Sequence, residues 1–443
     1  MKEFYLTQVN NLRGINKETY QILSNLSILA KNMTNVALYS VRQNYFQNGN
    51  YLNYFANYHA CKSNRNYQLL GSTLAQACLQ YADWSFKSFF GLLKAKSNKG
   101  LEVGKISLPK YLPKDSTHIL VWNSCGFKIV GNKIRLSLSK EFKKEYNISK
   151  KYLFFPFPEN ISDPKSVKEI RIKSFYKNKF FKMYICYKQK QIEIQLDETK
   201  ALSIDFGVNN LASCIDTNGT SFILDGRKLK SINRLYNKEI AKFKSILDKQ
   251  NPKSKKNYSE RLYRITQKRN NQVSNYLNHT CKILIDYCIN NKIGNLIIGN
   301  FSGIKNNINI GRINNQNFVQ IPFGILKQKL RSKCELYGIW YRDQEESYTS
   351  KCSFIDSESI EKHDVYLGKR IKRGLFKTST GKLINADINA AANILKKFHL
   401  GKSKQNLEFN FKKLSRGCIN QPVRIRVLES NFLPNYGACL HSH

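Results

Sequence analysis

The sequence runs to 443 residues, with 73 Lys and Arg against 31 Asp and Glu, a formal charge of +42. That length suits roughly two or three domains with buried cores, and 41% hydrophobic with 12% aromatic residues excludes wholesale disorder. No run approaches ~18 apolar residues, which argues against a membrane span; Met1-Lys2-Glu3-Phe4-Tyr5 lacks signal-peptide order; and so large a charge demands a polyanion, with nucleic acid the default partner.

Residues Lys2 to Val9 alternate like one strand, and over 17–46 the apolar residues Ile22, Leu26, Leu29, Met33 and Val36 recur at helical spacing. An Asn/Tyr-rich stretch (47–66) precedes a second helical pattern through Leu70, Leu74, Cys78 and Tyr81 to Phe89. From about 100 the period becomes two. Gly131-Asn132 reads as a hairpin turn, 168–176 and 180–188 as a second hairpin joined at Lys177-Asn178-Lys179, and Gln191–Leu196 alternates again. The first 200 residues therefore predict a β-barrel or sandwich interrupted by a helical insertion.

Beyond residue 200 the order changes. Ala201–Phe206, Leu211–Ile215 and Ser221–Leu224 read as strands, followed by polar helices near 228–248 and 256–292, broken at Asn251-Pro252. A buried strand, Asn295–Gly299, an Asn-rich loop, a helix near 322–337, a strand Ile339–Gln344, a basic segment and a helix near 386–397 complete the pattern. Three antiparallel strands, then helix, strand, helix, strand, helix, is the order of an RNase H-like α/β fold. The tail from 401 is polar and basic and reads as a small appendage or as partly disordered.

In a chain so poor in acid, the placed carboxylates carry information. Asp205 ends an apolar strand, where an isolated carboxylate costs several kcal/mol unless compensated, and Gly207 leaves room beside it. Asp387 follows the helix N-cap candidate Asn385, where the helix dipole favours its ionised form. Each alone reads equally as a cap or a surface acid. Together, at a strand end and a helix start of this order, they suit catalytic Mg²⁺, two ions about 4 Å apart in phosphodiester cleavage.

Asp205-Phe-Gly-Val-Asn-Asn, Glu346-Ser-Tyr-Thr-Ser-Lys351 and Asn385-Ala-Asp-Ile-Asn-Ala-Ala resemble the RuvC motifs of the transposon-encoded TnpB family, relatives of the compact type V CRISPR effectors and of Fanzor proteins. The resemblance is strong over 200–398 and one of layout before it. It implies a bacterial, cytoplasmic RNA-guided DNA endonuclease, nucleoid-associated on its DNA. Its partners would be a guide RNA and double-stranded DNA with a short adjacent motif. It also implies 1–16 with 101–199 as a wedge β-barrel and 17–100 as an inserted helical recognition domain. The RuvC domain would span 200–348 and 385–400, the basic insertion 349–384 would sit where relatives carry a zinc-finger-like module, and 401–443 would be the tail. A nuclease-dead, RNA-guided repressor of the same fold is the alternative; oligomeric state is left open.

Two departures from the family pattern stand out. The commoner pattern puts a catalytic Glu where this chain has Gly299, which cannot hold metal. The next strand ends in Glu345 and Glu346, and a strand neighbouring Gly299, about 4.8 Å away, can project a Glu into the vacated space. Some family members, Fanzor-like ones included, resemble this rearrangement with the Glu three residues before the Thr of Thr-Ser-Lys, and that resemblance selects Glu346, with Glu345 as second choice on the opposite face. The resemblance thus names Asp205, Glu346 and Asp387 as Mg²⁺ ligands, with Mn²⁺ able to substitute. The second departure is zinc. The eleven cysteines include no Cys-x-x-Cys pair, Cys352 stands alone with only His363 nearby, and four ligands cannot be assembled. No zinc is expected, nor a disulfide framework.

Basic residues near these motifs are candidates for nucleic-acid contact: Arg261, Arg264, Lys268 and Arg269, with Lys255 and Lys256, on one helix, and Lys351, Arg370, Lys372 and Arg373 near the insertion. A solvated basic face is the alternative for each group. His279 reads as a packed or hydrogen-bonded structural histidine.

Overall fold

In the computed structural model, which describes residues 3–99, 106–176, 178–250, 259–300, 320–401, 419 and 421–429, the described chain divides into two units between Lys190 and Gln191. The first begins with the predicted strand, β1 (Glu3–Leu12), which runs three residues past Val9. Helix α1 (Lys17–Asn48) starts at Asn16, whose side chain accepts the Thr19 N–H, and stops at Gly49 in the left-handed region. The Asn/Tyr-rich stretch holds a short helix, α2 (Tyr54–Cys61), capped by Asn53. Helix α3 (Arg65–Lys99) is broken at Gly71, where φ is +75°.

The β part of this unit, expected as a barrel or sandwich, forms two sheets. β2 (Leu120–Asn123), β6 (Val167–Phe175) and β7 (Phe180–Lys190) join β1 in one four-stranded sheet of order β1-β7-β6-β2; β3 (Phe127–Val130), β4 (Lys133–Ser137) and β5 (Tyr152–Pro156) form a separate three-stranded sheet. Helix α4 (Lys140–Glu145) lies between β4 and β5 in the chain. No ladder joins the two sheets among the described residues. A shared core does: Trp122 of β2 is fully buried and donates its indole N–H to the Ser137 carbonyl of β4. Both predicted hairpins form, β3–β4 around Gly131-Asn132 and β6–β7; Lys177 in the second turn lies outside the described residues.

In the second unit Gln191–Leu196 is not a strand; apart from the Ile192 N–H, which bonds the Leu336 carbonyl, the ladder begins only at β8 (Asp197–Phe206). Its alternation instead fits a strap whose side chains line a small cavity with Tyr337 and Trp340. β9 (Asn210–Asp216) and β10 (Ser221–Asp225) follow antiparallel, then α5 (Arg227–Gln250), α6 (Glu260–Asn290), β11 (Ile293–Asn300), α7 (Phe323–Tyr337) and β12 (Trp340–Glu345). The Asn251-Pro252 break and the Asn-rich loop over 301–319 lie outside the described residues. A small three-stranded sheet, β13 (Lys369–Lys372), β14 (Leu375–Lys377) and β15 (Leu383–Asn385), leads into α8 (Ala386–Leu400).

The main sheet has the order β12-β11-β8-β9-β10 with a sixth strand, β16 (Val423–Ile425), parallel to β10. An antiparallel β8-β9-β10 meander with β11 and β12 added parallel on the other side of β8 is the RNase H-like topology. β16 corrects the reading of the tail as an appendage: Ile425 and Val427 pack into the unit's main core. Most of the tail lies outside the described residues. Among the described residues no helix is long and apolar enough to cross a membrane.

Candidate functional site

β8, β11 and β12 are adjacent and parallel, so their C-terminal ends emerge at one edge of the sheet. Asp205 is the penultimate residue of β8. Gly299 is penultimate on β11 and pairs with Gln344, with Glu345 and Glu346 immediately beyond. A Cβ built on Gly299 would lie 2.5 Å from Glu346 Oε2 and 2.9 Å from Ile394 Cδ1. Real Cβ atoms are not found so close to a neighbour. The Glu346 carboxylate therefore fills the space that a side chain at 299 would take.

Helix α8 delivers the third carboxylate. Asn385 caps it by accepting the N–H groups of Asp387 and Ile388, and its small residues let it sit close on the sheet: Ala391 is fully buried and its carbonyl accepts the Ser203 hydroxyl of β8 at 2.7 Å. Asp387 thus stands in the first turn, facing the strand ends. Asn210 Nδ2 donates to its Oδ2 at 2.5 Å and Arg370 Nη2 to its Oδ1 at 3.2 Å.

The electrostatics tie the three acids together. Burial, then the charges of Asp387 and Glu346, push the Asp205 carboxyl well above its ordinary value, with Arg370 opposing. Glu346 is raised by burial, with Lys327 pulling it down and Glu345 pushing it up. Lys327 of α7 is held by Asp343 at 3.0 Å. Among the described residues nothing donates a hydrogen bond to the carboxylate of Asp205 or of Glu346, and no three His, Cys, Asp or Glu side chains converge closely enough to share one metal ion. Asp387 instead accepts hydrogen bonds from Arg370 and Asn210.

Glu345 has a different environment. It is exposed and bonded to Lys397 and to the Ser347 N–H, which lower its pKa to about 2. The turn beyond it is pinned from α8: Asn393 donates to the carbonyls of Thr349 and Cys352, and Asn389 to that of Cys352. Cys352 is buried with its thiol toward the Glu361 carbonyl, while His363 bonds Ser359.

The predicted basic residues do not form one group. Arg264 pairs with Glu260, and Arg261 stacks on Phe243. Lys268 is exposed. Arg269 donates to Asn233, Asn270 and the Gln320 carbonyl, and the bond to Asn233 ties α6 to α5. Lys255 and Lys256 lie outside the described residues. Lys351 lies over the Tyr366 ring; Lys372 and Arg373 are exposed, as is the whole of β13 including Arg370. His279 is exposed on α6, not packed, because its position falls on the outer face between buried Leu277 and Thr280.

Two family models match the chain in sequence. OrfB_IS605 ("Probable transposase") matches residues 184–305 and the Cas12f1-like TNB domain matches residues 323–394. The "TnpB-like protein ORF457" of Acidianus two-tailed virus is 25% identical over 406 residues, covering 85% of this chain and 83% of its own. Together these matches support a TnpB-family protein related to the type V effectors. In fold it resembles the Cas12f1 chain of a Cas12f1–sgRNA–target DNA complex, with TM-score 0.57 and 19% identity over 86% of this chain and 83% of the other.

Sequence reasoning attached no role to Asn210, although it closes the first motif, nor to Lys327. It listed Arg370 for nucleic acid without its contact to Asp387. Arg424 escaped notice altogether, since nothing local marks a short strand in a polar tail; it donates to Asn210 and to Asp225.

Proposed function

We propose that this TnpB-family chain is an RNA-guided DNA endonuclease that binds a guide RNA, recognises a short adjacent DNA motif and hydrolyses phosphodiesters at one RuvC-type site. The observation that carries the reading is the Glu346 carboxylate seated over Gly299 beside Asp205. An active site that had lost its second acid would have no reason to keep a glycine there and a half-buried glutamate above it.

The donor set fits Mg²⁺. Asp205, Glu346 and Asp387 offer only hard carboxylate oxygens, the kind that ion takes, and the first two lack protein donors among the described residues. Burial raises both carboxyls, with Asp387 and Glu346 raising Asp205 further, and a cation bound there would favour their ionised forms. Bound there, Mg²⁺ supplies charge neutralisation and an activated water for phosphodiester hydrolysis. The protein's own part is to hold Asp205 and Glu346 desolvated at one edge of the sheet, on the strands either side of β11, and to present Asp387 from the first turn of a helix. Arg370 holds Asp387 until nucleic acid and cation compete for the pair, and then offers its guanidinium to phosphate.

The unit over 3–190 is assigned to the guide and the adjacent motif, as a wedge with an inserted helical recognition module; sequence specificity then comes from base pairing. Lys268, Lys351, Lys372 and Arg373 are exposed and suited to backbone phosphates. Sequencing the RNA that copurifies with the protein tests the guide: a fixed scaffold with a variable end is expected, and random cellular RNA would count against it. With that RNA bound, Mg²⁺-dependent cutting of matched DNA separates the nuclease from a nuclease-dead repressor.

A further inference from the structure

Asp387 is oriented by a chain of donors that starts on β16. Asn210 Nδ2 donates to Asp387 Oδ2 at 2.5 Å, and Arg424 Nη2 donates to Asn210 Oδ1 at 2.7 Å. Arg424 is itself fixed: its Nη1 bonds Asp225 Oδ1 at 2.9 Å, and its strand pairs in register with β10, Ile223 opposite Arg424. The buried neighbour Ile425 anchors the backbone.

Chemistry makes this chain directional. A primary amide has one accepting end and one donating end, whereas a guanidinium only donates. Arg424 therefore decides which end of Asn210 it meets, and the end left for Asp387 is the NH₂ group. A flipped amide would set an oxygen against the Asp387 carboxylate and two sets of donors against each other at Arg424. The carboxylate demands the same orientation, and what Arg424 adds is a second anchor that fixes where the half-buried Asn210 side chain stands at the edge of β9.

We infer that Arg424 is a positioning residue which, through Asn210, sets the orientation of Asp387 and thereby the cation affinity of the strand-end site. The inference rests on reading Asp387 as a ligand in the proposed endonuclease. It gives a segment beyond the last motif a share in the chemistry. Partners that orient ligands in this way typically matter by about 10–100-fold in metal affinity or activity.

The test uses the full chain with its copurified RNA. Mn²⁺ binding is followed by electron paramagnetic resonance and the Mg²⁺ concentration for half-maximal cleavage is titrated in parallel. Arg424→Gln is expected to weaken Mn²⁺ binding about tenfold and to raise the Mg²⁺ requirement by a similar factor, leaving RNA affinity and melting temperature as in the parent. Asn210→Ala should do the same, and the double variant should be no worse than either single one, because both cut the same chain. Arg424→Lys keeps the charge but not the fork and should fall between; it carries the test if Arg424→Gln melts early. Multiplicative losses in the double variant would overturn the inference. So would unchanged Mn²⁺ affinity, or a loss confined to RNA binding. Asp205→Ala separates the two levels. If it abolishes Mn²⁺ binding while the Arg424 variants do not weaken it, only the positioning role fails; if it binds Mn²⁺ like the parent, the site itself is misassigned.

Discussion

Two regions of the second unit keep carboxylates from solvent and treat them in opposite ways. In the segment between β12 and α8, Glu358 accepts the N–H groups of Ser353 at 2.6 Å and Leu367 at 2.8 Å, and Asp356 accepts the N–H and hydroxyl of Ser379. Burial would raise Asp356, but the bonds from Ser353 and Ser379 outweigh it and its pKa is lowered. At the strand ends, Asp205 and Glu346 receive no donor among the described residues and both are raised. A carboxylate that accepts backbone N–H groups is a staple. One held dry beside other acids has the environment the proposed cation site calls for, and on that reading the contrast separates structural from chemical acids in a chain with few of either.

Asp205→Asn should expose the difference most sharply. Loss of a ligand is expected to lower cleavage by roughly 10³-fold, equivalent to about 4 kcal/mol of barrier. The same change should stabilise the metal-free protein by about 1 kcal/mol at neutral pH, since a desolvated charge among like charges is removed. The sign follows from the raised pKa. The folded state binds the Asp205 proton more tightly than the unfolded chain, so the parent loses stability as pH rises above the ordinary carboxylate range; below that range both states are protonated and the variant's advantage disappears. Thermal melts across pH in chelator check it, and a destabilised Asp205→Asn would break the comparison.

Glu358→Ala should do the reverse. Leaving the buried Ser353 N–H and the part-buried Leu367 N–H without an acceptor costs about 1–3 kcal/mol, read as a lower melting temperature or faster proteolysis between 349 and 384. If stability is unchanged, Glu358 is no staple. Gly299→Ala is predicted to have a smaller and purely local effect. The added methyl must displace Glu346 or Ile394, and cleavage should fall about tenfold, or ~1.4 kcal/mol, with melting temperature shifted by little. Full activity in Gly299→Ala would mean that Glu346 does not need that space.

The strand ends were legible in the sequence because they obey local rules. Asp205 interrupts an apolar strand, Asn385 is a helix cap, and a two-residue period marks both hairpins. Glu346 required one step more, from the glycine at 299 to the neighbouring strand. The misses have non-local causes. Gln191–Leu196 has strand periodicity, but periodicity records only a buried side, and a strap beside Tyr337 and Trp340 satisfies it as well as a ladder does. α2 is only eight residues long, too short for a periodic signal to stand out. Barrel and sandwich stayed open alternatives because they differ in which strands pair, which alternation does not encode. Arg269 reads as one of a basic group and Arg424 carries no local signal at all; only the fold turns one to Asn233 and the other to Asn210.

Cleavage by Glu346→Gln and Glu345→Gln, each purified with its RNA and assayed in Mg²⁺ on matched DNA, tests the central claim most directly. Glu346 fills the space over Gly299 and Glu345 pairs with Lys397 at the surface. Glu346→Gln should therefore lose cutting by roughly 10³-fold while Glu345→Gln stays within about twofold of the parent. Cutting that survives in Glu346→Gln, or fails in Glu345→Gln alone, would contradict the assignment.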